Sequence, residues 1–144
     1  MPLSDLPASD LVDFRPNIAE PADFDGFWAG TLAESRGFHQ EVDLCPAPGP
    51  ISEVVVEDLT FSGFAGDPIR AWVVRPRGEG VHPAVVEFVG YNGGRGLPSE
   101  HLGWAVTGFV HVVMDTRGQG GGWGGGGNTP DPHGTGASFE GFMT

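Results

Sequence analysis

Hydrophobic positions change period along the chain. In EPADFDGFWAGTLAESRG, residues 20–37, Phe24, Phe27, Trp28 and Leu32 fall at i, i+3, i+4 and i+8, so they form one apolar stripe of a helix. Pro21 suits a first helical turn, Asp23 and Asp25 favour the positive end of the helix dipole, and Gly37 is a C-terminal stop. From Glu53 the period shortens. EVVVEDLTFSG and IRAWVVRP are β-rich segments joined by FAGDP, which has turn chemistry, and together they predict an antiparallel hairpin. AVVEFVG is nearly continuous apolar, the pattern of a strand buried on both faces. SEHLGWAVTG predicts a short helix capped by Ser99 and closed by Gly108, with Leu102, Ala105 and Val106 facing inward. FVHVVMD is the next strand, so strand, helix and strand make a right-handed βαβ crossover.

The remaining segments lack such a period. Residues 1–20 read as an extended arm punctuated by Pro2, Pro7 and Pro16, and CPAPGP reads as a linker without regular structure. A glycine- and proline-rich loop runs from Thr116 to about Ala137, and SFEGFMT begins a further helix. The fold class expected is α/β, with one domain over 21–144. Two parallel strands and one crossover helix are the beginning of a sheet that needs helices on both faces, so the chain reads as the first part of a larger protein.

Composition narrows the chemistry. The formal charge is -12, lysine is absent, and the seven arginines are scattered. Nucleic acid and an anionic membrane surface both need a basic face, so neither is expected as a partner. Cys45 is the only cysteine, which excludes a disulfide within the chain and a cysteine-based zinc site. The acidic N-terminus lacks the basic-then-apolar pattern of a signal peptide, and a cytoplasmic protein is the expectation.

Candidate chemistry gathers where strands end, because ligands of an open α/β sheet sit beyond the carboxyl ends of its strands. GYNGGRG leaves one such end. Glycines there allow positive φ and close backbone approach, so an amide N–H can be aimed at an anionic oxygen; a plain tight turn with a surface tyrosine is the alternative. DTRGQGGGWGGGGNTPDPHG leaves the next strand. Its G-x-G-x-x-G matches, such as Gly120, Gly122 and Gly125, carry no weight in so dense a run, and Pro130 and Pro132 forbid the helix a dinucleotide site needs. Arg117 and Gln119 are bulky polar residues at that exit, and Asp115 reads as a residue that pins the following loop rather than as a catalytic acid. Ser138 in GASFEG lacks the second glycine and the preceding strand of a nucleophile elbow, so it reads as a helix cap. His39, His82, His101, His111 and His133 show no metal-ligand spacing; His111 reads as a sheet histidine, and His133 is the one placed in a strand-end loop.

EDLTFSGFAGDPIRAWVVRPRG, GYNGGRG, MDTRGQG and TPDPHG, in that order, resemble the acetylxylan esterase and cephalosporin-C deacetylase group, carbohydrate esterase family seven, from about Pro21 to Thr144. Arg117, Gly118 and Gln119 match the family's Arg-Gly-Gln signature, and Gly90 and Tyr91 its Gly-Tyr pair. The resemblance implies the N-terminal part of an α/β-hydrolase that deacetylates small acetylated carbohydrates and related acetyl esters without metal or organic cofactor. It makes the Tyr91 N–H an oxyanion donor, with Gly90, Asn92, Arg117, Gly118 and Gln119 ordering the site. The family often has His where this chain has Val89, which removes a polar side chain and leaves the backbone donor. The family's serine, acid and histidine lie C-terminal to this region, beyond Thr144, so the chain alone is expected to be inactive. Ring-like oligomers of the complete protein carry over as a family expectation. Two other classes stand beside this one: a non-catalytic binding or assembly module built from half a hydrolase, and a related hydrolase acting on other esters, lipids or peptides.

Overall fold

The computed structural model describes residues 6–38, 40–47, 49–120, 122 and 126–131. The chain divides into two compact units, Met1–Ala33 and Glu34–Thr144. In the first, the arm is not wholly extended: Ala8–Leu11 form a one-turn helix, α1. The long helix α2 spans Phe24–Gly37 and begins three residues after Pro21, where Phe24 N–H donates to Pro21 O at 3.1 Å. Its stripe is real but stays exposed. Trp28 packs edge-on against Phe24 and Phe27, at centroid distances of 6.3 and 5.4 Å, and no residue of α2 is buried.

The second unit is built on a five-stranded mixed sheet: β1 (Asp43–Pro46), β2 (Val54–Ser62), β3 (Pro68–Pro76), β4 (Ala84–Phe88) and β5 (Val110–Met114). The spatial order is β1-β2-β3-β5-β4. The hairpin is as the period predicts, with β2 antiparallel to β3 from Val54 opposite Pro76 to Ser62 opposite Pro68. Its turn places Ala65 and Gly66 at φ of 56° and 84°. The βαβ unit also forms, with β4 parallel to β5 and Ala84 opposite Val110. Its helical segment starts as a 3₁₀ turn, Pro98–His101, and continues as α3, Leu102–Val106, ending at Gly108 with φ of 99°. A hydrophobic cluster of Val54, Val74 and Ala105, with Ile51, Val56, Trp72 and Leu102 against it, joins α3 to the hairpin.

Four expectations need correction here. CPAPGP is not wholly irregular, because Cys45 and Pro46 end the edge strand β1, which pairs antiparallel with β2. Every residue of β1 is exposed, so no burial pattern announces it; Pro46 is tolerated because an edge strand needs fewer donors. β4 is not buried on both faces. It lies at the sheet edge, with Val86 and Phe88 exposed. Ser99 does not cap the helical segment; Glu100 does, its carboxylate accepting the Leu97 N–H at 2.7 Å. Val106 points outward, leaving Ala105 and Leu102 as the inner face. The SFEGFMT helix lies outside the described residues, as do Ser138, His39 and His133. No helix among the described residues is long and apolar enough to cross a membrane.

Candidate active site

The carboxyl ends of the parallel strands β4 and β5 each open into a glycine-rich loop, and the two loops are locked together. After β4, Gly93 N–H donates to Gly90 O at 3.0 Å, closing a tight turn with Tyr91 and Asn92 at its centre. Asn92 has φ of 64° and Tyr91 does not, which is the type II pattern; asparagine tolerates this left-handed conformation better than most residues. After β5, the Gln119 side chain reaches across and accepts the Asn92 N–H at 2.5 Å, while Gly122 N–H donates to Asn92 O at 3.2 Å. Tyr91 is exposed at the tip of the turn. The residues at the two strand exits therefore form one rim.

Beneath the rim the contact is backbone against backbone. A Cβ on Gly94 would lie 2.2 Å from Gly126 O, and one on Gly120 2.2 Å from Gly127 N. Gly96 N–H donates to Gly126 O at 3.1 Å. Only glycine allows the chains to approach this closely.

Asp115, fully buried at the end of β5, is the anchor for both loops. Its carboxylate accepts from the N–H of Arg95 and of Thr116, each at 3.1 Å, and from the N–H of Asn128 and of Thr129. Thr129 in turn accepts the Arg70 N–H at its hydroxyl, 3.0 Å away, tying the loop to β3. Asp115 therefore acts as a structural pin. Gly118, with φ of 66°, donates its N–H to Thr129 O at 2.9 Å. Arg117 reaches two carboxylates, Asp67 at 2.7 Å and Asp131 at 3.7 Å. It joins the β2–β3 turn to the loop after β5.

The residue that sequence reasoning missed is Arg95. It is 1% exposed and follows the Gly90–Gly93 turn by two residues. Its guanidinium forms a forked pair with Asp58 at 2.8 and 3.2 Å, donates to Ala71 O at 2.9 Å, and stacks 3.7 Å over the Trp72 ring. The Trp72 indole N–H donates to Gly96 O at 2.9 Å, which fixes the ring on which Arg95 stacks. Asp58 also pairs with Arg70. Burial alone would raise the Asp58 carboxyl, but the hydrogen bonds and charges of Arg95 and Arg70 outweigh it and lower its pKa. The signal available in sequence was an arginine between two glycines in GGRG together with an acid in a β-strand, 37 positions apart, and no local pattern links them.

A second cluster was also unforeseen. Glu87 on β4, His111 on β5 and His101 before α3 come together, although their spacing in the chain shows no metal pattern. The Cys45 thiol is hydrogen-bonded to the Asp43 carboxylate, which raises its pKa and disfavours the thiolate.

The whole of residues 1–144 matches the family model of acetyl xylan esterase (AXE1). Among solved structures, the chain is similar to acetyl xylan esterase 1 from Thermoanaerobacterium sp. JW/SL YS485, with 35% identity and a TM-score of 0.73 over 82% of this chain and 37% of that one. It is similar also to the acetyl xylan esterase from Paenibacillus sp. R4, with 35% identity and a TM-score of 0.76 over 88% of this chain and 40% of that one. The chain thus spans well under half the length of these two proteins. The α/β architecture and its resemblance to the N-terminal portion of such esterases accord with these matches.

Proposed function

Because the chain belongs to the acetyl xylan esterase family, we propose that the complete protein hydrolyses acetyl esters of small carbohydrates and that this chain supplies one wall of the active site. The observation that carries the proposal is the rim itself: the Tyr91 turn and the Gln119 loop meet at the carboxyl ends of two adjacent parallel strands. That is where an open α/β sheet binds its ligand. The Tyr91 N–H is the oxyanion donor of this reading, and Gln119, Arg117 and Asp115 hold the turn in place. A serine from the C-terminal part of the protein attacks the acetyl carbonyl while a histidine takes its proton. The tetrahedral oxyanion is held in part by the Tyr91 amide, and water then releases acetate. Acetylated xylo-oligosaccharides and cephalosporin C are the substrates of the first assay, and the chain without its C-terminal part is inactive.

The decisive variant is Tyr91→Pro in the complete protein. Tyr91 occupies the second position of a type II turn, where proline's fixed φ is favoured, so the turn survives and the N–H is lost. Turnover of p-nitrophenyl acetate is expected to fall roughly 100- to 1,000-fold at similar KM. Unchanged kcat would overturn the assignment of Tyr91. Faster hydrolysis of long-chain acyl esters than of acetate in the unaltered protein would overturn the acetyl specificity.

A further inference from the structure

We propose that Glu87, His101 and His111 form a binding site for a divalent transition-metal ion, zinc by preference, that staples the edge strand β4 to β5 and to the start of α3. One ring nitrogen of each histidine and a carboxylate oxygen of Glu87 all lie within 4.8 Å of one another. The hydrogen bonds around the two rings say which nitrogens are available. His111 Nδ1 is 3.1 Å from His101 O, and His101 Nε2 is 2.8 Å from Arg95 O. A carbonyl oxygen only accepts, so each of these nitrogens carries the proton. His111 Nε2 and His101 Nδ1 are left with lone pairs. Each ligating ring thus donates its other N–H to a backbone carbonyl, the arrangement that orients metal-bound histidines.

The third group makes the case. His111 Nε2 lies 3.0 Å from Glu87 Oε2, two acceptor atoms face to face in a site where His111 is buried. A hydrogen or a metal ion has to bridge them. Metal–ligand bonds of about 2.0–2.1 Å in a tetrahedral site put neighbouring ligand atoms roughly 3.3–3.4 Å apart, so the His111–Glu87 spacing of 3.0 Å needs to open by only a few tenths of an ångström. The wider separations close by movement of Glu87, which is half exposed on the sheet edge. Two imidazoles and one carboxylate suit zinc and its first-row neighbours and disfavour calcium or magnesium, which take oxygen ligands. A cavity of about 230 Å³, lined by Glu87, Phe88, Gly90, Gly94, Glu100 and His101 among others, adjoins the cluster and has room for water as a further ligand.

The site does not depend on the esterase reading, and its test reads binding rather than turnover. The complete protein, free of affinity-tag histidines, is stripped with EDTA and titrated with Co²⁺ and then Zn²⁺, with calorimetry and the cobalt d–d bands as readouts. One equivalent is expected to bind, with zinc displacing cobalt and raising the thermal midpoint. Glu87→Gln and, separately, His101→Gln should each weaken binding by at least about tenfold. Glu87→Gln is close to isosteric, and circular dichroism verifies that the variant keeps the fold. No stoichiometric binding, or binding that neither variant weakens, would overturn the site and leave Glu87 and His111 as a proton-bridged ion pair.

Discussion

Arg95 shows how much can hang on one side chain. Its charge is removed from water and balanced by Asp58, by the Ala71 carbonyl of β3 and by the face of Trp72. Replacing one member of a buried pair leaves the other charge uncompensated, which costs about 3–5 kcal/mol. Asp58→Asn is therefore expected to lower the stability of the protein by about that much in urea unfolding; a loss below about 1 kcal/mol would mean that Ala71 and Trp72 suffice to hold the guanidinium. Residues of this kind are the least legible in a sequence. Tyr91, Asn92, Arg117 and Gln119 could be singled out because they stand at strand exits, where the order of elements alone puts them beside one another. Arg95 meets Asp58 only through the folding of the loop after β4 onto β2, and Glu87 meets His111 only through the pairing of β4 with β5. Nothing local in GGRG distinguishes a buried arginine from a solvated one.

The elements were legible in proportion to what they bury. β2, β3 and β5 carry the buried valines, and their β-rich apolar composition identifies them. β1 buries nothing and was invisible, and β4 has the apolar composition of a central strand while lying at an edge. Burial on each face depends on what neighbours a strand has, which its own residues do not state. The glycines divide in the same way. Gly94 faces the Gly126 carbonyl so closely that Gly94→Ala should cost about 1–3 kcal/mol and slow ester turnover in the complete protein. Gly103 lies inside α3 with open space where a Cβ would sit, so Gly103→Ala should be neutral or add about 0.5–1 kcal/mol. Equal effects of the two changes on the denaturation midpoint would show that the close approach of the loops is unimportant.

At the scale of the whole molecule, acid is the condition that tests the electrostatic design. The Asp58 pKa is lowered in the folded state, so its contribution is complete above the ordinary carboxylate value, about 3.9, and is lost as pH falls through the lower folded value. Stability should therefore drop on the acid side of about pH 4, and that limb should be shallower in Asp58→Asn than in the unaltered protein when unfolding is followed against pH. The two loops have a different consequence. Their interlocking through Gly94, Gly120, Gly126 and Gly127 means that neither can be lengthened, shortened or exchanged by itself. Anyone redesigning the substrate range of such an esterase by loop grafting would have to transplant both segments as a matched set.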